Sequence, residues 1–263
     1  MKQRVISAII ALMIVIPVLI LGEKYFALGC ALISVQAIRE FLLLKENTNK
    51  IPILVQLLVV ISTVLLVLSD FDGYSIAFGL SYKGIALAAL GLFLPTIFYK
   101  QDTYKTGEAF YLLGCVVLTG LVFNSFILIR ILGLNIFIYL LLITTMTDTF
   151  AYVFGSLIGK HKLCPLISPK KSWEGSICGS LMGTFIASVF YHATISPISI
   201  KIILISLMLT VLGQLGDLFF SKIKRENGIK DFSNIMPGHG GILDRLDSLI
   251  IVVLAYIVMF SLI

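Results

Sequence analysis

Residues 213–248 read GQLGDLFFSKIKRENGIKDFSNIMPGHGGILDRLDS. The stretch closes an apolar run, 202–220, in which Gln214 and Asp217 are embedded. A polar segment follows with Ser221, Lys222, Lys224, Arg225, Lys230 and Asp231. Then comes Pro237-Gly238-His239-Gly240-Gly241, and Asp244-Arg245-Leu246-Asp247 opens the last apolar run. Two runs of membrane-helix length thus meet across a basic, glycine-rich loop, with carboxylates at both helix ends. Hard oxygen ligands suit Mg²⁺, lysine and arginine meet phosphate oxygens, and glycines let backbone N–H groups approach an anion. The pattern suits a metal-bound polyphosphate held at a bilayer surface.

Spacing sharpens this. Asp244 and Asp247 share a helix face, as do Gln214, Asp217 and Ser221. Neighbouring helices could aim Asp217, Asp244 and Asp247 into one pocket. The plainer alternative, acids favoured by a helix N-terminus, covers Asp244 and Asp247. It does not cover Asp217, because ionisable groups inside apolar runs are expensive and usually functional.

Working outward, the 263 residues are 59% hydrophobic and 13% charged, about half the charge of a soluble protein. Mean hydropathy is +1.05. Apolar residues fall in blocks of spanning length, without the alternation of a barrel. We expect an all-α polytopic membrane bundle of nine spans, at 5–21, 25–44, 52–69, 84–99, 109–129, 134–157, 176–193, 199–220 and 244–262. Residues 1–21 mimic a signal peptide, but the apolar run lacks a small-x-small cleavage site and reads as an uncleaved span. Residues 1–107 form an N-terminal helical region. Residues 108–263 form the catalytic region, with cytoplasmic loops 155–175 and 221–243.

Charge tests the count. With nine spans, Lys24, Lys83, Arg130 and Lys201 face one side and the remaining Lys and Arg, of 20 in all, face the other. The positive-inside rule then puts the N-terminus and the active loops in the cytoplasm. Losing one early span would split the basic loops between the two sides. The net charge of +6 suits loops facing an anionic leaflet. Aromatics do not interleave these loops, so nucleic acid is not an expected partner. Cys30, Cys115, Cys164 and Cys178 form no CxxC pair, and neither a disulfide nor a zinc site is expected. Arg39 and Glu40, inside the second block, could contact substrate or a lipid headgroup; a charge pair near the interface is the favoured reading.

The sixth span holds a second constellation. Thr144, Asp148 and Tyr152 recur every four residues along one helix face, with Asp148 again inside an apolar segment. Packing against threonines is the alternative to a functional role. The loop after it contains Gly159-Lys160-His161-Lys162 and Ser168-Pro169-Lys170-Lys171-Ser172-Trp173-Glu174-Gly175. It could clamp phosphates or serve only to set topology; composition leaves these even.

Ser221-x-x-Lys224-Arg225, Lys230-Asp231 and Pro237-x-His239-Gly240-Gly241-x-x-Asp244-Arg245-x-Asp247 together resemble the pattern of the phosphatidate cytidylyltransferases, also called CDP-diacylglycerol synthases. Asp148-Thr149-Phe150-Ala151-Tyr152 and the Ser168 to Gly175 run are similar to further family segments. The likeness covers roughly residues 145–250; the first half matches only in hydropathy. It implies CTP and phosphatidic acid as substrates, CDP-diacylglycerol and pyrophosphate as products, and a homodimer; the compact length points to a bacterial chain, and so to its plasma membrane. The roles it implies are Mg²⁺, with a second ion possible, on Asp217, Asp244 and Asp247 with Asp148 in support. Lys224, Arg225 and Lys230 would grip CTP or the lipid phosphate, and Lys170 and Lys171 the triphosphate. Gly238, Gly240 and Gly241 would allow backbone approach. Ser168, Ser221, Asp231, His239 and Arg245 complete the substrate-binding set. Two competing readings are a CTP-dependent lipid kinase, against which the ordered 237–247 pattern argues, and a transporter using Asp148 and Asp217. A transporter would not need the basic cluster of residues 222–230.

Overall fold

The computed structural model describes residues 13, 15–44, 51–69, 82–100, 103–235 and 240–259. Gly238 and His239 lie outside the described residues, as does most of the expected first span, of which 15–21 is helical. The described helices are α1 (Glu23–Leu43), α2 (Ile53–Val67), α3 (Tyr82–Phe93), α4 (Pro95–Phe98), α5 (Thr106–Leu132), α6 (Leu134–Ile158), α7 (Trp173–Thr194), α8 (Ile200–Glu226) and α9 (Leu243–Met259). Five of the helices, α1, α5, α6, α7 and α8, are long and apolar enough to cross a membrane; α2 and the α3–α4 stretch are shorter apolar helices. Pro95 lacks the N–H needed to continue the ladder, so it opens α4 at N1.

Two differences from expectation matter for the site. The 155–175 loop is partly folded: β1 (Lys162–Cys164) and β2 (Ser168–Ser172) form an antiparallel hairpin, the one sheet among the described residues of an otherwise helical chain. Ser172 ends the hairpin and caps α7, its hydroxyl accepting from Gly175 N at 3.3 Å, as a serine N-cap does. The second difference is at residues 221–226, expected in a loop but helical. The 27 residues of α8, at about 1.5 Å each, outreach a roughly 30 Å hydrocarbon core. Its last turns can therefore carry charge beyond the lipid. Termination comes at Gly228, φ 67°, with Ile229 N to Lys224 O at 3.0 Å and Gly228 N to Arg225 O at 3.1 Å, a Schellman pair.

The chain forms two compact units, Met1–Leu128 with Asp231–Leu243, and Ile129–Lys230 with Asp244–Ile263. In the first, α1 packs on α2 and α2 on α3. The α5 helix is tied in by Tyr111 donating to Phe41 O at 3.0 Å and Asn124 to Val67 O at 3.1 Å. In the second, α7 packs along α6 and against α8. Small residues permit the α6–α7 approach: a Cβ at Gly175 would meet Ala151 O at 2.6 Å, and one at Gly179 would meet Thr147 O at 2.7 Å. Close small-residue packing of this kind replaces the hydrophobic drive that lipid removes.

Candidate active site

The α8 helix presents its polar groups in two directions. Gln214 is buried and donates to Ser180 Oγ at 2.7 Å and Ser176 O at 3.2 Å, fastening α8 to α7. Asp217 is only partly covered, and Ser221 donates to its Oδ1 at 3.2 Å, one turn on. Lys171 Nζ on β2 approaches Asp217 Oδ2 to 2.5 Å. The Lys171 ammonium is thus engaged with the Asp217 carboxylate as an ion pair. Strand alternation leaves neighbouring Lys170 exposed.

Asp247 and Asp148 lie within electrostatic reach of Asp217 and of one another, Lys171 within reach of Asp148, and Lys224 within reach of Asp247. Ser248 Oγ donates weakly to Asp148 Oδ2 at 3.4 Å. Close packing of α8 on α9 brings these acids together: a Cβ at Gly216 would meet Ile251 Cγ1 at 2.8 Å and Asp247 O at 3.0 Å. One turn beyond, Lys224 Nζ donates to Asp244 Oδ1 at 2.7 Å, both side chains buried. Thus α6, β2, α8 and α9 supply Asp148, Lys171, Asp217, Ser221, Lys224, Asp244 and Asp247 to one neighbourhood. Asp217 and Asp244 each hold a lysine, and no group of three His, Cys, Asp or Glu side chains is poised to ligate one ion among the described residues.

The remaining candidates divide. Ser168 is half-buried at the start of β2, and Arg225, Lys230 and Arg245 are exposed. Arg225 Nη1 donates to Ile229 O at 3.2 Å. Tyr152 is 77% exposed while Thr144 is buried, so only part of the expected α6 face turns inward.

Glu174 anchors the hairpin to α7, accepting from Lys160 N at 3.1 Å, His161 N at 3.2 Å and His161 Nδ1 at 2.6 Å.

Asp231, Gly240 and Gly241 belong to the first unit. Asp231 is exposed. Gly240 has φ 81°, a left-handed conformation that glycine adopts without strain. At Gly241 the close approach is to a protein carboxylate: a Cβ there would sit 2.5 Å from Glu40 Oε1. The expected pairing of Glu40 with Arg39 is therefore a misreading. Arg39 is exposed and Glu40 fully buried, because adjacent helical residues point about 100° apart. Glu40 bonds instead to the loop before α9. The signal was present: an acid inside an apolar block carries the same burial cost that singled out Asp217.

The comparisons agree with this chemistry. A model of the cytidylyltransferase family matches residues 2–263. The chain belongs to that family. It is 35% identical over 253 residues to the phosphatidate cytidylyltransferase of Staphylococcus haemolyticus, covering 96% of each chain. It is 35% identical over 257 residues to that of Bacillus subtilis, covering 96% of this chain and 94% of the relative. With bacterial relatives over 96% of its length and several apolar helices, it is an integral membrane protein.

Proposed function

We propose that this protein transfers the cytidylyl group of CTP to phosphatidic acid, giving CDP-diacylglycerol and pyrophosphate. One observation carries the site reading: Asp148, Asp217, Asp244 and Asp247 share a neighbourhood with Lys171 and Lys224, and these six side chains carry a formal excess of two negative charges. That excess and the hard oxygen donors fit one divalent cation. Asp217 and Asp247, with Asp148 and Asp244 alongside, would hold Mg²⁺, which when bound neutralises phosphate charge as a Lewis acid.

The lipid phosphate oxygen attacks the α-phosphorus, a P–O bond forms, the α–β anhydride bond breaks, and pyrophosphate departs with the electron pair. The nucleophile is already largely ionised near neutral pH, so no protein base is required. Lys171, on β2 beside Asp217, would turn from that carboxylate to a phosphate oxygen. Exposed Lys170, Arg225 and Lys230 attract the triphosphate. Preorganised cations of this kind stabilise charge developing on the leaving group.

The same reading places nine spans in a bacterial plasma membrane, N-terminus and basic loops cytoplasmic, with the chain as a homodimer. The distribution of Lys and Arg supports the orientation. The test is purified protein supplied with CTP and phosphatidate, with Mg²⁺ or with a chelator. CDP-lipid and pyrophosphate, formed only with the metal, are the expected products. Phospholipid and CDP would mark a kinase, and absence of either product overturns the reading. Crosslinking in membranes should trap a dimer; monomer alone would refute that part.

A further inference from the structure

Glu40 lies on α1, far in sequence from the site residues, and is completely buried. Its Oε1 accepts from Ser233 Oγ at 2.7 Å and Ile242 N at 2.9 Å, and its Oε2 from Leu243 N at 2.9 Å. Gln36 Nε2 adds a long contact of 3.4 Å. Gly241 lacks the Cβ that would strike this carboxylate, and Phe232 packs edge-on against Phe41, next to Glu40 in the chain, at 6.3 Å between ring centroids. One side chain thus gathers both ends of the 231–243 loop. It also satisfies an N–H at the first residue of α9, where helix amides lack internal partners. The next residue is Asp244, and Asp247 follows one turn later.

We propose that Glu40 is a positioning residue for cytidylyl transfer. It sets where α9 starts, and through that helix it sets the register of Asp244 and Asp247. The proposal rests on the functional reading above. A carboxylate accepting from several donors cannot be replaced by an amide, which turns an NH₂ toward an N–H and leaves a buried donor unpaired.

Glu40→Gln and the milder Ser233→Ala test this in the full-length protein. Hydrogen exchange in the 232–243 segment should rise, with Glu40→Gln about tenfold or more above wild type and Ser233→Ala less. Exchange in α6 should stay unchanged. The rate constant kcat should fall in the same order, and the Mg²⁺ concentration for half-maximal rate should rise. A loss of folded protein would lower the rate without moving that concentration. Wild-type exchange in both variants overturns the proposal, and so does raised exchange with unaltered kcat and Mg²⁺ dependence. A wild-type protein that forms no CDP-lipid is a separate failure, that of the functional reading, and is seen before any variant is made.

Discussion

Lys224 and Asp244 form an ion pair 2.7 Å long, with side chains only 11% and 5% exposed. The pair joins the last turns of α8 to the first turn of α9. Removing one partner strands a buried charge, at a cost of about 3–5 kcal/mol, whereas replacing both with apolar residues is often neutral. We expect Asp244→Asn to lower the melting temperature in detergent and abolish turnover. The double change Lys224→Met with Asp244→Leu should recover the melting temperature but no turnover. Recovery of turnover in the double variant would remove both residues from the chemistry.

Asp217 and Lys171 form the more open pair. Asp217→Asn should abolish CDP-lipid formation while the protein remains in the membrane. Lys171→Ala should raise the KM for CTP by about tenfold or more, the loss of one charge-assisted contact. Steady-state kinetics on membranes with matched protein content decides this, and an unchanged KM would confine Lys171 to an ion-pair role.

The Gly216 contact sets the approach of α8 to α9. A methyl group there meets Ile251 and the Asp247 carbonyl, and forcing the helices apart costs roughly 1–3 kcal/mol. Gly216→Ala should reduce turnover and thermal stability together. Gly114→Ala, where a Cβ meets nothing within 4 Å, is the control and should match wild type in both measurements.

The Glu174 anchor is exposed at His161 but holds the hairpin that carries Ser168, Lys170 and Lys171. Glu174→Ala should loosen residues 160–172, detectable as faster proteolysis at Lys160 or Lys162, and should raise the KM for CTP. The melting temperature should barely move, because surface pairs contribute only about 0–1 kcal/mol. Unchanged proteolysis would show that Ser172 capping suffices.

Much of the candidate site was legible because charge inside an apolar run is costly, so Asp148 and Asp217 stood out as candidates without any fold. The 155–175 hairpin was not legible. Its strands are three and five residues long, too short for alternation to stand out from a basic loop. The helical end of α8 was hidden for a related reason: polarity marks where lipid ends, not where a helix ends. Glu40 was misassigned because Arg39 offered a partner in sequence that helix geometry turns away.

From the chain alone came the membrane class, the identity of the acids and lysines, and the chemistry they suit, since hydropathy and burial cost are properties of residues and their spacing. Which acid holds which lysine, and that a carboxylate on α1 fastens the loop before α9, were decided only in three dimensions. Such pairings join residues up to 203 positions apart, and no local periodicity encodes contacts made by packing.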